Sequence, residues 1–141
     1  MRFMMLMYPG PQAETEQGPG NMDQALVEAM VAFNQRLVDA GVMLGGDGLH
    51  PTKRGARVRF GKGKTAVTDG PFTETKEILG GYWMIQAASL EAAVAWARQA
   101  PCPEGEMIEI RQVYEPEDFG EEVAAKERQM IADIEARKAK R

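Results

Sequence analysis

The first hydrophobic segment of the chain, residues 2–8, has large apolar side chains at both odd and even positions. An extended strand over it would carry them on both faces: Phe3, Met5 and Met7 on one, and Met4, Leu6 and Tyr8 on the other. A strand that borders water on one side alternates apolar and polar residues instead. The pattern therefore predicts a first strand that is covered on both faces.

A helix is predicted after this strand. Residues 9–20 contain three prolines and three glycines among polar residues, which is typical of a loop. Asn21 is placed as an N-cap, and Gln24 follows three residues later as in a capping box. Gly41 suits the position that ends a helix. Between these signals, apolar residues recur at helical spacing, namely Met22, Leu26, Met30, Phe33 and Leu37. The helix is expected over about residues 22–40.

Shorter elements are predicted between residues 42 and 114, where alternating patterns indicate strands and an apolar stripe indicates a second helix. In order they are a strand at 42–44, a glycine-rich turn at 45–48, a hairpin around Gly61-Lys62-Gly63, a strand at 81–87, a helix from an N-cap at Ser89 to Pro101, and a strand at 107–114.

The chain from residue 117 onward predicts an appended helix. Its first residues are acidic and its last residues basic, as the helix macrodipole favours. Its narrow apolar stripe suggests that it docks on a partner or on the edge of its own sheet. Two regions are therefore expected, a domain over residues 1–116 and a C-terminal helical extension over residues 117–141.

The order of elements predicts an α+β fold. It is β-α-β, a hairpin, β-α-β and a tail helix, which corresponds to a ferredoxin-like β-α-β-β-α-β sandwich with an inserted hairpin and a C-terminal helix. Helices cover one face of the sheet in that architecture. Because the first strand is apolar on the other face as well, we expect a homodimer whose sheets pack face to face.

Composition narrows the classes of function. The chain has 141 residues and a net charge of −4, which argues against a partner that is nucleic acid. No apolar segment is long enough for a membrane span, so no membrane partner is expected. With a single cysteine, Cys102, a disulfide framework is excluded and a reducing cytoplasm is favoured. Neither a metal site nor a cofactor motif is predicted from the spacing of residues.

The most specific motif is Asp69-Gly70-Pro71-Phe72, which follows the hairpin. An Asp-Gly-Pro turn at the end of a strand fixes the Asp69 carboxylate, and Glu74, Lys76 and Glu77 bring further charges near it. Such a cluster can produce a general acid or base and hold a ligand. The alternative is that Asp69 only forms the turn and that the other three side chains are solvated.

On these residues the chain resembles the YCII-related family, in the subgroup named for its Asp-Gly-Pro-Phe motif. The matching segments are Asp69–Phe72, Glu74, Lys76-Glu77, Gly80-Gly81-Tyr82, Ala40-Gly41-Val42, Gly48-Leu49, Pro51, Ala92, Trp96-Ala97, Pro101 and Glu109-Ile110-Arg111. The resemblance implies a dimeric α+β barrel of ferredoxin-like halves, with no assigned reaction. It also implies a link to extracytoplasmic-function sigma factors. A branch of the family places a catalytic histidine in the first helix. This chain has none there, so that histidine-aspartate pair is not carried over.

Four further residues are candidates for binding or catalysis. His50 is the natural general base because its ordinary pKa lies near neutrality, although a surface histidine beside Pro51 is the simpler interpretation. Arg59 and Arg111 lie on polar strand faces and suit a carboxylate or phenolate ligand. Glu109 lies two residues from Arg111, so these two side chains either line a pocket or form an ion pair, with each other or across the dimer.

Two classes of function remain open from the sequence. The first is a small-molecule enzyme or a ligand-binding barrel for a small polar or aromatic molecule, with Asp69 and His50 as catalytic candidates. Its pocket would lie between the helices and the sheet, near Asp69, and the binding candidates are Arg59, Glu74, Lys76, Glu109 and Arg111. The second is a regulatory module that binds a sigma factor or another protein through the tail helix. A cavity beside Asp69 would favour the first class.

Overall fold

The computed structural model describes residues 1–10 and 23–141. The elements of this part of the chain are, in order, β1 (Arg2–Tyr8), α1 (Gln24–Asp39), β2 (Met43–Gly48), β3 (Ala56–Gly61), β4 (Lys64–Asp69), β5 (Gly81–Gln86), α2 (Leu90–Ala97), β6 (Met107–Gln112) and α3 (Glu121–Lys138). Short 3-10 turns occur at Thr52–Arg54, Thr75–Glu77 and Pro116–Phe119. Residues 11–20 of the loop predicted over residues 9–20 lie outside the described residues, as does the predicted cap at Asn21.

The main sheet has the strand order β2-β5-β1-β6, and every pairing in it is antiparallel. With α1 between β1 and β2 and α2 between β5 and β6, this is the ferredoxin-like β-α-β-β-α-β topology. The hairpin β3–β4 is inserted between β2 and β5 and forms a separate two-stranded sheet. The predicted α+β fold with an inserted hairpin is thus confirmed.

The core lies between the sheet and the helices α1 and α2. Alternate residues of β1, Phe3 and Met5, are fully buried there, together with Phe33 of α1 and Ile85 of β5. The ring of Phe33 meets that of Trp83 edge to face, with centroids 5.8 Å apart. Edge-to-face pairs of this kind are favourable beyond the area that they bury.

The opposite face of the sheet carries the other apolar set of β1. We call Met4, Leu6 and Met84 the open-face cluster. Met4 lies directly opposite Met84 of β5, and Leu6 lies between Tyr82 of β5 and Glu109 of β6. These side chains are half-buried, because α1 and α2 pack on the other face. The two-sided pattern of β1 therefore corresponds to a helix-covered face and an open face.

The structure differs from the prediction at the start of α1 and at the glycines of β2. The helix α1 is capped by Asp23, whose side chain accepts a hydrogen bond from the backbone N–H of Ala25. The segment Gly45–Gly48 was predicted as a turn but belongs to β2. A Cβ on Gly46 would lie 2.8 Å from the carbonyl oxygen of Tyr82, so glycine at this position allows two strands to approach closely. Glycines that serve close packing look like turn residues in a sequence.

The hairpin β3–β4 is largely exposed. Its strands pair in register from Ala56 and Asp69 to Gly61 and Lys64. Its apolar side chains are largely exposed, and Phe60 reaches 85%. The hairpin therefore adds little to the core, and its functional interest lies at its base.

The tail is helical but begins later than predicted. A 3-10 turn, Pro116–Phe119, precedes α3, and Gly120 between them has a φ of 85°, which favours glycine. An ion pair of 2.6 Å between Arg2 Nε and Glu115 Oε1 fixes this turn beside the start of β1. In the described residues, no helix combines the length and the apolar character that crossing a membrane would need.

Candidate functional site

The Asp-Gly-Pro-Phe turn is bound to the segment that precedes the hairpin. The backbone N–H of Gly70 donates to the carbonyl oxygen of Gly55 at 3.0 Å, and that of Phe72 donates to Thr52 Oγ1 at 2.9 Å. The Gly70–Pro71 peptide bond is cis. A Cβ on Gly70 would overlap the carbonyl oxygen of Thr52, so only glycine fits against that backbone. The motif therefore closes the base of the insertion.

Phe72, the last residue of the motif, is held by a cation. The guanidinium carbon of Arg57 in β3 lies 3.8 Å from the centroid of the Phe72 ring. A guanidinium over an aromatic face is attracted by the quadrupole of the ring, more strongly where water is partly excluded. Both side chains are half-buried. This contact ties the hairpin to the motif and places a positive charge at the edge of a pocket.

The pocket lies between the loop after β2, the start of β3 and the segment before β5. Its volume is about 420 Å³, within the range of roughly 300–1,000 Å³ typical of small-molecule sites. Its apolar lining residues are Leu49, Pro51, Phe72, Ile78 and Leu79. Its charged or titratable lining residues are His50, Arg54, Arg57 and Glu77, and Thr52, Gly55 and Ala56 complete the wall.

The polar lining groups make an environment that is on balance positive. Arg54 Nη1 lies 3.3 Å from both ring nitrogens of His50, so it can donate a hydrogen bond to whichever nitrogen carries a lone pair. Arg57 adds a second guanidinium, and Glu77 a carboxylate. Two permanent cations next to apolar walls suit an anionic group on an otherwise apolar molecule.

The structure distributes the predicted site residues over several places. His50 lines the pocket. Asp69 ends β4, opposite Ala56 in the hairpin, and is exposed outside the pocket lining. Arg59, Glu74 and Lys76 are also exposed and do not line the pocket. The catalytic assignments of Asp69 and His50 stay predictions, and the pocket lies beside the hairpin, not between the helices and the sheet.

Glu109 and Arg111 lie far along the chain from the pocket loops, on the open face of the sheet. Arg111 Nη1 and Glu109 Oε2 are 3.4 Å apart, and the Arg111 side chain is 71% exposed. Within one chain the two side chains therefore pair with each other. On the other side of this face, Tyr82 Oη donates to Asp47 Oδ2 at 2.9 Å, and this hydrogen bond raises the pKa of Tyr82.

Apart from His50, no lining residue of the pocket was among the predicted site residues, and the three missed residues on which the proposed chemistry depends are Arg54, Arg57 and Ile78. Arg57 was not a candidate from the sequence, because its partner Phe72 lies fifteen residues further along the chain. Arg54 sits in a 3-10 turn that no sequence signal indicated. The Phe of the motif was the available clue, since an aromatic ring beside several arginines suggests a stacked cation.

Two other kinds of site were considered in the described residues, a metal site and a nucleophilic cysteine. They contain no group of three or more His, Cys, Asp or Glu side chains arranged to hold a metal ion. Cys102 is half-buried, and this burial, with a contribution from the charge of Glu106, raises the pKa of its thiol. A thiol with a raised pKa is a poor nucleophile near neutral pH.

Comparisons with known proteins give a family. A family model described as the YCII-related domain matches residues 1–117. An uncharacterized protein of Rhizobium meliloti (strain 1021) is 35% identical over 98 residues, which are 70% of this chain and 78% of that protein. Among solved structures, 5-chloro-2-hydroxyhydroquinone dehydrochlorinase of Burkholderia phenoliruptrix AC1100, in complex with 2,5-dihydroxybenzoquinone, matches with a TM-score of 0.45 and 12% identity, over 82% of this chain and 95% of that one.

Proposed function

The chain belongs to the YCII-related family, and we propose that its pocket binds a small organic anion with an apolar or aromatic body. The observation that carries this proposal is the pairing of Arg54 and Arg57 with the apolar wall around Ile78. Ligand sites are mostly apolar, with a few polar groups that fix the orientation of the ligand. The pocket has this composition.

The anionic part of the ligand follows from the charge of the lining. Two arginines face one glutamate, Glu77, so a carboxylate or phenolate would be the better match to the remaining positive charge. The Arg57 guanidinium is already fixed by Phe72, and Arg54 by its contact with His50. Pre-positioned donors lose less conformational freedom when a ligand binds.

A titration with salicylate, and with the uncharged salicylamide as the matched probe, tests the proposal. We expect binding of salicylate, and binding at least about tenfold weaker for salicylamide, because the amide lacks the charge that the arginines attract. Arg54→Gln should weaken salicylate binding by a similar factor. Chemical-shift changes of the amides of residues 49–57 and 77–79 report the site directly.

Lys53→Gln is the control for this titration. Lys53 lies in the same 3-10 turn as Arg54, is exposed and does not line the pocket. Its loss removes the same charge from the same segment, so salicylate affinity should change less than about twofold. Equal losses of salicylate affinity in Arg54→Gln and Lys53→Gln would show that only the net charge of the segment matters. Equal affinity for salicylate and salicylamide would contradict the proposal.

A proton-transfer reaction on the bound molecule is a second candidate. His50 favours it, because its imidazole lines the pocket and would lie within reach of a ligand there. We keep Asp69 as the second catalytic candidate, since it begins the Asp-Gly-Pro-Phe motif whose last residue, Phe72, lines the pocket. The titration with Asp69→Asn tests its place in the site: the change removes the charge and keeps the shape, so lost binding would assign the carboxylate to the site.

We also propose that the open face of the sheet is covered by a second copy of the chain. The open-face cluster is apolar, and the edge of this face carries charges of both signs, in Asp47, Glu109 and Arg111. A two-fold axis through such a face brings cluster onto cluster and lets Glu109 of one copy meet Arg111 of the other. The face is thus complementary to itself.

Leu6→Lys tests this homodimer. Light scattering should give the mass of a dimer for the unchanged chain, and Leu6→Lys should weaken dimerisation at least about a hundredfold, because it places a charge inside an apolar contact. Val31→Lys, at an exposed position of α1, is the matched control and should remain dimeric. A well-folded monomer at micromolar concentration in the unchanged chain would contradict the proposal.

A further inference from the structure

The helix α3 lies outside the segment that the family model matches and has an apolar face that its own chain leaves exposed. We call Val123, Met130, Ile131 and Ile134 the tail stripe; each of these side chains is between 41% and 49% exposed. They recur at helical spacing on one side of α3. Within the described residues, the main contact of α3 is with the 3-10 turn Pro116–Phe119 just before it. Most helical stability in proteins comes from packing an apolar face, so the tail stripe requires a partner.

The charges of α3 are arranged with opposite signs at its two ends. The first residues of the tail are acidic, namely Glu117, Asp118, Glu121 and Glu122, and the last are basic, namely Arg137, Lys138, Lys140 and Arg141. Part of the acidic group is paired within the chain, since Arg128 lies 3.0 Å from Glu117 and 3.6 Å from Glu121. Among the ion pairs of the described residues, none involves Arg137, Lys140 or Arg141.

We propose that the tail stripe pairs with the tail stripe of a second copy of this chain, with the two α3 helices antiparallel. In that orientation the acidic start of each helix lies beside the basic end of the other, and the helix dipoles oppose each other favourably. A parallel pairing would place acid beside acid and base beside base. The distribution of charge therefore favours a second copy of this chain as the partner of the tail stripe, and an antiparallel orientation of the two α3 helices.

The pairing is expected to be modest in strength. Glu127 lies on the same side of the helix as the tail stripe and is half-buried. A polar residue in such a seam fixes the register at a cost in stability. The 18 residues of α3 also form a smaller contact than stable interfaces need. The tail pairing is thus suited to reinforce an association of the domains, and its geometry is independent of the ligand in the pocket.

Disulfide trapping tests the orientation directly. In a Cys102→Ser background, chains with Val123→Cys and chains with Ile134→Cys are mixed and oxidised. The two positions are eleven residues apart, about 16 Å along a helix, so identical positions of an antiparallel pair centred on the stripe are too distant to join. We expect disulfide between the two kinds of chain at least about tenfold faster than within either kind alone.

The control uses the opposite side of the same helix. Ala125 and Ala132 are exposed and lie at matching heights, so a mixture of Ala125→Cys and Ala132→Cys chains should remain uncrosslinked. Docking of α3 on its own sheet, or reservation of the stripe for another protein, would leave the stripe cysteines uncrosslinked as well and would overturn the proposal. Rapid joining of identical positions would overturn the antiparallel direction.

Charge reversal provides a second measurement on the same mixture. Glu121→Lys with Glu122→Lys in the Val123→Cys chain should slow trapping, because these residues then meet the basic end of the other helix. Adding Arg137→Glu and Lys138→Glu to the Ile134→Cys chain should restore the rate. Failure of the second pair to restore it would show that the charges act within one chain, against the proposed pairing. We expect salicylate binding to be unaffected by these changes, because none of the four residues lines the pocket, so the tests of the two proposals are separate.

Discussion

Gly70→Ala should destabilise the protein by about 2–4 kcal/mol, because the new methyl group would overlap the carbonyl oxygen of Thr52. That oxygen belongs to a backbone that is fixed on both sides, and it cannot rotate away as the end of a flexible side chain can. The turn must open to admit the methyl group, which breaks the hydrogen bonds from Gly70 to Gly55 and from Phe72 to Thr52. Urea denaturation followed by circular dichroism measures the loss.

Gly55→Ala is the matched control, since it faces the same oxygen. A Cβ on Gly55 would lie 3.6 Å from the Thr52 carbonyl oxygen, which is ordinary contact, and the φ of −127° is open to alanine. Its free energy of unfolding should stay within about 1 kcal/mol of that of the unchanged chain. Equal losses at Gly55 and Gly70 would indicate that the segment tolerates no side chain at all and would contradict the specific role of Gly70.

Phe33→Ala should cost about 3–5 kcal/mol of the free energy of unfolding, the usual range for removing a fully buried phenylalanine. The change leaves a cavity beneath the sheet and removes the edge-to-face partner of Trp83. Trp83 also donates from Nε1 to Asn34 Oδ1 at 2.7 Å, so its fluorescence reports the packing of this region. Urea denaturation monitored by that fluorescence gives the change in stability.

Phe60→Ala is the control for Phe33→Ala, because it removes a phenylalanine side chain that has few packing contacts. With 85% of Phe60 exposed at the tip of the hairpin, its removal should change the stability of the folded chain by less than about 0.5 kcal/mol. A loss for Phe60→Ala as large as that for Phe33→Ala would show that the hairpin packs in solution against something that stabilises it.

The fold could be predicted from the sequence because its signals are local. The two-sided apolar pattern of β1, the stripe in α1 and the Ser89 cap of α2 each follow from neighbouring residues, and the structure has all three elements. The glycines of β2 could not be interpreted correctly, because the reason for Gly46 is the carbonyl oxygen of a strand more than thirty residues away. The start of α3 was missed because a 3-10 turn shares the sequence preferences of a first helical turn.

The site could be predicted only in part. His50 was found from its residue type, and the motif around Gly70 from its unusual composition. Arg54 and Arg57 become site residues only through the docking of the motif on the segment before the hairpin, a contact between distant parts of the chain. The charges that looked most active in sequence, such as Lys76, are exposed and stand outside the pocket.

The insertion between β2 and β5 leaves and re-enters the sheet at one point. The backbone N–H of Leu49 donates to the carbonyl oxygen of Gly80 at 2.9 Å, and Gly48 lies opposite Gly81 in the register. Every lining residue of the pocket falls within residues 49–79. The whole pocket is therefore built from one insertion whose two ends are joined at the sheet. Changes in the sequence or length of this insertion can alter ligand preference without disturbing the buried core.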